Sequence, residues 1–195
     1  MKNNIQIHIL KWKELNDNGQ FKEARQYYFN EIFEEVIHNF EKNLAWPIEP
    51  VDVLFSVLGY TPEPVILAAR ALKPKKHIII QDKEMKYNEE NMSCLRRFLT
   101  DGFDMIELND ETFGTIYDTL KEQMTFNVGR NYAINITGGK KSMAASAGIF
   151  ARDFNTSVLY IDFKEYDANL RRPTPGSEYM NIVYTPTRDL PELFH

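Results

Sequence analysis

The chain contains a single cysteine, Cys94, among its 195 residues. One cysteine excludes an intrachain disulfide and any zinc site built from several cysteines, and this usage fits a reducing compartment. The sequence also lacks a run of about 18 consecutive apolar residues, and no apolar signal-peptide segment follows Met1. These absences predict a soluble, cytoplasmic protein that makes no use of a membrane.

Positive charge is also scarce, because 23 Lys and Arg stand against 28 Asp and Glu, giving a net charge of −5. A broad nucleic-acid-binding surface needs clustered basic residues, so a long nucleic acid is excluded as a partner. A hydrophobic content of 43% is enough for a full-sized core. Any polyanion that this chain binds must therefore be small and locally held.

Two familiar nucleotide-binding motifs are missing as well. No Gly-x-Gly-x-x-Gly occurs, and the turn after the first core strand carries only Gly59, which argues against NAD and FAD. The spacing around Gly138 and Gly139 does not fit a P-loop, since no glycine stands five residues before a Gly-Lys-Ser/Thr. We expect no bound cofactor and no metal ion.

What the chain does have is a regular alternation of apolar strands and helices. This alternation predicts an α/β fold, a Rossmann-like, mostly parallel sheet flanked by helices, for which 3-2-1-4-5 is the usual strand order. The predicted strands are Val51–Leu58, His77–Gln81, Phe103–Leu108, Tyr132–Ile136 and Val158–Phe163. The predicted helices lie near 63–72, 89–99, 111–124 and 140–154. A β-hairpin of Tyr166–Arg171 and Tyr179–Tyr184, around the turn Pro173–Gly176, is expected to follow.

Residues 1–50 are interpreted as an N-terminal extension and residues 51–195 as the Rossmann-like domain. Alternation over Ile5–Ile9 predicts a strand, Asn16–Gly19 a turn, and apolar spacing over Phe21–Leu44 one long amphipathic helix. The segment Trp46–Pro50 is expected to break the pattern. An aromatic face on the helix is expected to pack on the domain or on a partner, and it consists of Tyr27, Tyr28, Phe29 and Phe33.

The most informative segment is Ala133–Met143, in which an apolar strand runs into Gly138 and Gly139 and then into a helix of small residues. Glycines allow close backbone approach to a ligand, the helix presents N–H groups and the positive end of its dipole, and Lys140 and Lys141 add charge. This combination indicates an anion site. The alternative is a tight turn with solvated lysines.

Ligands of open α/β sheets bind beyond the carboxyl ends of the strands, near the point where the strand order reverses. This rule selects the loop 56–64 and the turn 137–141, which would line one crevice. The Thr61 hydroxyl, before Pro62, either caps the next helix or contacts a ligand, and capping is the favoured role. Tyr60 either stacks on a base or covers the edge of the sheet, and ligand contact is the favoured role. Gln81 and Asp82 end the second strand, where they either read base edges or are ordinary polar residues at a strand end.

At these two loops the sequence resembles the CARF family, the CRISPR-associated Rossmann-like domains that sense cyclic oligoadenylates in type III CRISPR antiviral defence. Phe55–Pro64 looks like the first-strand motif of the family, and Asn135–Met143 looks like its Thr-Gly-Gly-Thr-Lys-x-Met motif. Lys141 takes the position of the family lysine, whereas Lys140 replaces the usual threonine. Arg171–Glu178 is similar to the segment that follows the fifth strand in relatives. The resemblance covers about residues 50–187.

The resemblance implies a two-fold symmetric homodimer with one cyclic tetra- or hexa-adenylate lying across the interface, and the tetra-adenylate is the favoured ring. A ring with rotational symmetry suits such a dimer. It also implies an effector, either as a further domain or as a separate protein. The implied ligand-binding residues are Ser56, Gly59, Tyr60, Thr61, Pro62, Glu63, Gln81, Asp82, Thr137, Gly138, Gly139, Lys140, Lys141 and Met143.

Two alternatives to a binding module stay open. A metal-independent ring nuclease would align a ribose 2′-OH with the neighbouring phosphate and stabilise the developing charge, with Lys141, Ser56 and Thr61 as its candidate catalytic residues. No histidine lies in either loop to serve as a base. The second alternative is a Rossmann-like enzyme acting on a small nucleotide or sugar phosphate, which requires an acid and base pair that the sequence does not display.

Overall fold

The computed structural model describes residues 2–44, 50–83, 89–110 and 112–189. Its strands are β1 Val53–Val57, β2 Lys76–Asp82, β3 Asp104–Leu108, β4 Tyr132–Asn135, β5 Ser157–Phe163, β6 Tyr166–Asp167, β7 Arg172–Pro173 and β8 Glu178–Tyr184. Its α-helices are α1 Lys2–Asp17, α2 Phe21–Tyr27, α3 Phe33–Lys42, α4 Glu63–Leu72, α5 Glu89–Phe98, α6 Phe113–Phe126, α7 Lys141–Asp153 and α8 Pro186–Asp189.

Six strands form one sheet in the order β3-β2-β1-β4-β5-β8. The first five pair in parallel, with Val53 of β1 opposite Lys76 of β2 on one side and Tyr132 of β4 on the other. The predicted parallel sheet and its order are therefore confirmed. Strand order reverses between β1 and β4, so the loops that follow these two strands lie side by side at the carboxyl edge.

Burial on both faces explains why the central strands are almost wholly apolar. All five residues of β1 are buried. Phe55 and its neighbours at alternate positions pack against α6 and α7 through Ile116, Leu120, Ala147 and Phe150. Side chains at the intervening positions point to the other face, since the period of a strand is two. The sheet thereby provides a rigid base for the loops at its edge.

The predicted C-terminal hairpin is present, although its strands differ from the expected ones. β6 pairs antiparallel with β7, placing Tyr166 opposite Pro173. Residues 178–184 instead form β8 at the edge of the main sheet. The seven-residue β8 matches the length of β5, whereas the two-residue arms of the hairpin offer little backbone to pair with.

Contacts divide the chain into two units, of which the first comprises Met1–Ala45 with Asp162–Tyr179 and the second Trp46–Ile161 with Met180–His195. Within the first unit, the Lys13 ammonium lies 2.8 Å from the Asp167 carboxylate. The Arg172 guanidinium lies 5.9 Å from the centre of the Trp12 ring. The N-terminal helices and the hairpin after β5 are thus packed as one body.

The strand predicted over Ile5–Ile9 is wrong, because these residues lie in α1. Ile9, Trp12 and Asn16 are buried, and this helical spacing outweighs the short alternation of apolar residues. The predicted turn at Asn16–Gly19 is confirmed, with Gly19 at φ +75°. Of the predicted break at Trp46–Pro50, residues 46–49 lie outside the described residues.

The single helix predicted over Phe21–Leu44 is three helical segments, since a π-helical turn, Tyr28–Ile32, separates α2 from α3. Apolar residues recur here every four positions, so the apolar stripe drifts around a helix that has 3.6 residues per turn. The π-helical turn is wider and compensates for this drift. Tyr28, Phe29 and Phe33 are buried and pack on one another, with ring centres 5.3–5.4 Å apart. Tyr27 donates or accepts a 2.7 Å hydrogen bond with His8.

Candidate functional site

The loops after β1 and β4 touch each other at their glycines. A β-carbon on Gly138 would lie 2.3 Å from the carbonyl oxygen of Val57 and 2.5 Å from the amide nitrogen of Gly59. A β-carbon on Gly59 would lie 3.1 Å from the α-carbon of Gly138. Such distances exclude a side chain at Gly138 without backbone movement. Gly59 and Gly138 therefore bring the two predicted loops together, which is a role that the sequence pattern did not indicate.

Gly139 packs closely against the side chains of Val57 and Met143. Gly139 has φ +75°, and a β-carbon there would lie 2.3 Å from the Cγ1 atom of Val57 and 3.1 Å from the sulfur of Met143. Met143 itself is fully buried. Its side chain thus packs beneath the glycine turn, inside the core shared with α7.

Asn135 organises the turn through its side-chain amide. Its Nδ2 donates to the carbonyl oxygen of Pro64 at 3.0 Å, and its Oδ1 accepts from the hydroxyl of Thr137 at 2.6 Å. The Thr137 hydroxyl also accepts from the amide of Ile161 at 2.7 Å. Asn135 therefore links both loops, while the Thr137 hydroxyl is engaged within the protein. The sequence signal that could have revealed Asn135 is a polar residue ending an apolar strand directly before the glycines.

The amino end of α7 faces solvent beside this turn. Lys140, with φ −85° and ψ 159°, occupies the N-cap position, makes no side-chain capping bond, and no acidic residue lies in the first turn. The backbone amide of Ala144 makes the bond to the Lys140 carbonyl that begins the helix. Lys141 and Ser142 are exposed. The positive end of a 13-residue helix and the Lys141 ammonium thus lie where the sequence predicts an anion.

Lys140, the first of the two lysines in the turn, is paired with a buried carboxylate. The Lys140 ammonium lies 2.8 Å from Oδ2 of Asp82, whose side chain is only 2% exposed. Asp82 ends β2, so the ion pair ties the glycine turn to the second strand. Sequence patterns place both residues near the site but do not indicate that they contact each other.

The loop after β1 presents Tyr60 and Thr61 to solvent. The Tyr60 side chain is 86% exposed, and its carbonyl oxygen accepts a 3.0 Å hydrogen bond from Nδ2 of Asn91. The helix cap predicted at Thr61 is wrong, since Pro62 is the N-cap residue and makes no side-chain bond. The backbone of Pro62 is already helical at φ −82° and ψ −14°, which moves the helix start to Glu63. The exposed Thr61 side chain therefore does not cap the helix.

Ser56 and Gln81 are two more of the predicted site residues that lie below the surface. Ser56 is fully buried, and its hydroxyl forms a 3.0 Å hydrogen bond with Nε2 of His77. Burial lowers the pKa of His77 from 6.5 to about 4, so the imidazole is neutral at ordinary pH. Gln81 is 5% exposed and donates to the carboxylate of Glu107 at 3.0 Å. Both side chains therefore make hydrogen bonds to residues of the neighbouring strands.

Among the described residues, no group of three or more His, Cys, Asp and Glu side chains is arranged to hold a metal ion. Within the same part of the chain, each helix is too short or too polar to cross a bilayer. The exposed groups of the two loops include the Lys141 ammonium, the Thr61 hydroxyl and the Tyr60 ring.

Comparison with known proteins identifies a family for this chain. Residues 65–184 match the family model described as the Card1 CARF domain. The match begins just after the first loop and includes the glycine turn. The CRISPR system endoribonuclease Csm6 of Thermus thermophilus is 28% identical over 162 residues, which are 78% of this chain and 34% of that protein. The chain thus spans about a third of the length of this relative.

Two solved structures overlap with parts of the chain. Can2 from Sulfobacillus thermosulfidooxidans, in complex with cyclic tetra-adenylate, gives a TM-score of 0.48 at 19% identity, covering 57% of this chain and 32% of that one. Csm6 from Enterococcus italicus, bound to cyclic hexa-2′-fluoro-hexa-dAMP, gives a TM-score of 0.45 at 11% identity, covering 58% and 34%. Both overlaps extend over little more than half of the present chain.

Proposed function

The chain belongs to the Card1 CARF domain family, and we propose that it binds a cyclic oligoadenylate, cyclic tetra-adenylate in particular. The observation that carries this proposal is the amino end of α7 beside the glycine turn, where the N-cap residue Lys140 makes no side-chain capping bond and Lys141 is exposed at the first helical position. Backbone amides, a helix dipole and one ammonium group together favour a phosphate. A cyclic oligoadenylate offers a closed series of such phosphates.

The exposed residues of the first loop supply the complementary contacts. Tyr60, at 86% exposure, provides a face on which an adenine can stack, a contact that contributes about 1–3 kcal/mol per base. Thr61 provides an exposed hydroxyl for a ribose or phosphate oxygen. Because Gly59 and Gly138 hold the loops in contact, phosphate and base contacts are presented from one rigid edge.

The proposed binding unit is a homodimer with one ring on its two-fold axis. In an isologous dimer each protomer offers the same surface, so the bound ring must itself have two-fold symmetry. Rings of four and six adenylates satisfy this condition, whereas a ring of three does not. We propose that each protomer contacts half of a four-membered ring through its glycine turn and its Tyr60 loop.

We further propose that ring binding serves type III CRISPR defence by controlling an effector, either in the same polypeptide or in a separate protein. Support comes from family membership and from the relative Csm6, of which this chain covers about a third. In this arrangement the module senses the ring and the effector acts on the invader.

The test is calorimetric titration of the protein with cyclic tri-, tetra- and hexa-adenylate in metal-free buffer. We expect tight binding of cyclic tetra-adenylate, a loss of at least about tenfold in affinity for Lys141→Ala, and no change for Lys121→Ala, an exposed lysine in α6. A single phosphate contact at a charge-assisted bond is worth about 1.5–3 kcal/mol, and 1.4 kcal/mol is about tenfold. Failure of every ring to bind would sink the proposal.

Chromatography of the titrated ligand distinguishes sensing from cleavage. An unchanged ring supports a binding module alone. Conversion to linear products would add ring nuclease activity, and exposed Lys141 and Thr61 are then the residues to substitute. Ser56 is fully buried with its hydroxyl bonded to His77, and Ser56→Ala is the third substitution to test.

A further inference from the structure

We propose that Lys140 is a positioning residue whose charge is committed to Asp82, and that this ion pair sets how strongly the site attracts an anionic ring. The proposal rests on the proposed function for its ligand and on the geometry of the pair for its mechanism. It assigns different roles to two adjacent lysines. Lys140 neutralises a buried carboxylate, and Lys141 faces the ligand.

Asp82 is buried, whereas its partner Lys140 is partly exposed. Its side chain is 2% exposed, while that of Lys140 is 44% exposed, and their charged atoms are 2.8 Å apart. A buried carboxylate without a partner is strongly unfavourable, and removal of one member of a buried ion pair leaves such a charge behind. A phosphate that drew Lys140 away would have to overcome this penalty. The ring therefore binds with the pair intact.

The ion pair joins the end of a central strand to the glycine turn. Asp82 ends β2, which pairs with β1, and the amide of Leu58 donates to the carbonyl oxygen of Ile80 at 2.8 Å. Lys140 lies between the glycine turn and α7. The turn is thus held on one side by contact with Gly59 and on the other by the ion pair with Asp82.

The ion pair also determines the net charge beside a bound ligand. With the pair formed, Asp82 and Lys140 nearly cancel, and the Lys141 ammonium and the helix dipole provide the attraction. Without Lys140, the Asp82 carboxylate would repel phosphates at close range. Without the carboxylate, the charge of Lys140 would no longer be offset by Asp82 and would add to the attraction for phosphates.

The experiment combines Lys140→Thr, Asp82→Asn and the double variant, with Lys141→Thr as the matched control. Affinity for cyclic tetra-adenylate is measured by calorimetry between 50 and 300 mM salt. We expect Lys140→Thr to weaken binding about tenfold, Asp82→Asn to strengthen it about threefold, and the double variant to return to within about threefold of the unchanged protein. Lys141→Thr should lose binding with or without Asp82→Asn.

Salt dependence separates a released lysine from a merely structural effect. Each added phosphate contact steepens the slope of log affinity against log salt by about 0.7 for a single strand. Asp82→Asn should show this steeper slope, and the double variant should not. If Lys140→Thr loses binding and Asp82→Asn does not restore it, Lys140 contacts the ring directly and the proposal is overturned.

Urea unfolding of the unchanged protein, Lys140→Thr, Asp82→Asn and the double variant tests the ion pair independently of any ligand. The loss of stability in Lys140→Thr should be largely recovered in the double variant, because the buried carboxylate is then absent. If no ring binds even to the unchanged protein, the proposed function fails, and this coupling alone decides whether the ion pair exists. Strictly additive stability changes would overturn the ion-pair proposal in either case.

Discussion

For a single residue, one methyl group is the smallest change that tests the contact between the two loops. We expect Gly138→Ala to destabilise the protein and to abolish ring binding, since its β-carbon would lie 2.3 Å from the backbone oxygen of Val57. Neither backbone partner can rotate away, so the loops must separate. The measurement is a pair of urea unfolding curves with calorimetric titration of cyclic tetra-adenylate.

Gly148 offers the matched control for this substitution. It lies inside α7, and a β-carbon there would meet nothing within 4 Å. Gly148→Ala should therefore stabilise the chain by about 0.5–1 kcal/mol, because alanine loses less backbone entropy in a helix. Equal effects of the two substitutions would show that the close approach at Gly138 does not hold the loops together.

His77 gives the chain a dependence of stability on pH. Its pKa is about 4 when folded against an ordinary value of 6.5, so between these values the unfolded chain binds a proton that the folded chain excludes. The free energy of unfolding therefore falls as the pH drops from about 6.5 to about 4. Above this range the contribution of His77 to stability no longer changes with pH. A pKa difference of about 2.5 units corresponds to a loss of at most about 3.4 kcal/mol of stability.

The measurement is urea unfolding at a series of pH values from 7.5 down to 4.5, for the unchanged protein and for His77→Gln. Glutamine retains an amide that can hydrogen-bond Ser56 but does not titrate. The substituted protein should lose less stability on acidification. Identical pH profiles would show that the imidazole is accessible to protons in the folded state.

At the scale of helices and strands, α1 is attached to its neighbours through Trp12. The ring is 3% exposed, lies 6.1 Å from that of Tyr28, and lies under the guanidinium of Arg172. Trp12→Ala should cost about 3–5 kcal/mol of stability, the range found for large aromatic residues in cores. Circular dichroism during urea unfolding measures this loss.

Leu10 is the control on the same helix, since its side chain is 67% exposed. Leu10→Ala should change stability by less than about 0.5 kcal/mol, as surface substitutions generally do. A loss at Leu10 as large as that at Trp12 would mean that the outer face of α1 is also covered in solution.

The sheet was predictable because its signal is local. Each of the five parallel strands is a short apolar run between helices, and the order 3-2-1-4-5 follows from the usual connection rules. The strand predicted over Ile5–Ile9 failed because five alternating residues fit a helix face equally well. Length would have decided between them, since α1 has 16 residues.

The site was predictable only in its location. The glycine turn and the first loop were identified from local motifs, but what each residue contacts depends on the rest of the fold. Asp82 and Lys140 are far apart in sequence, and nothing in either segment indicates their 2.8 Å ion pair. The burial of Ser56 likewise follows from its place in a central strand covered on both faces, next to His77.

For the whole molecule, the number of rings bound per chain distinguishes a dimer site from a site within one protomer. A ring lying on a two-fold axis requires one ligand per two chains, whereas a pocket within one protomer takes one ligand per chain. We expect calorimetry to give half a ring per chain and sedimentation to give a complex of twice the 22.9 kDa of one chain.

Cyclic tri-adenylate is the control for this symmetry argument, because it offers the same phosphates and adenines without a two-fold axis. If a two-fold interface shapes the site, the three-membered ring should bind at least about tenfold more weakly than the four-membered ring, a difference of about 1.4 kcal/mol. Equal affinities, together with one ring per chain and a monomeric complex, would place the whole site within a single protomer. The contacts of Lys141 and Tyr60 would then serve a small nucleotide rather than a symmetric ring.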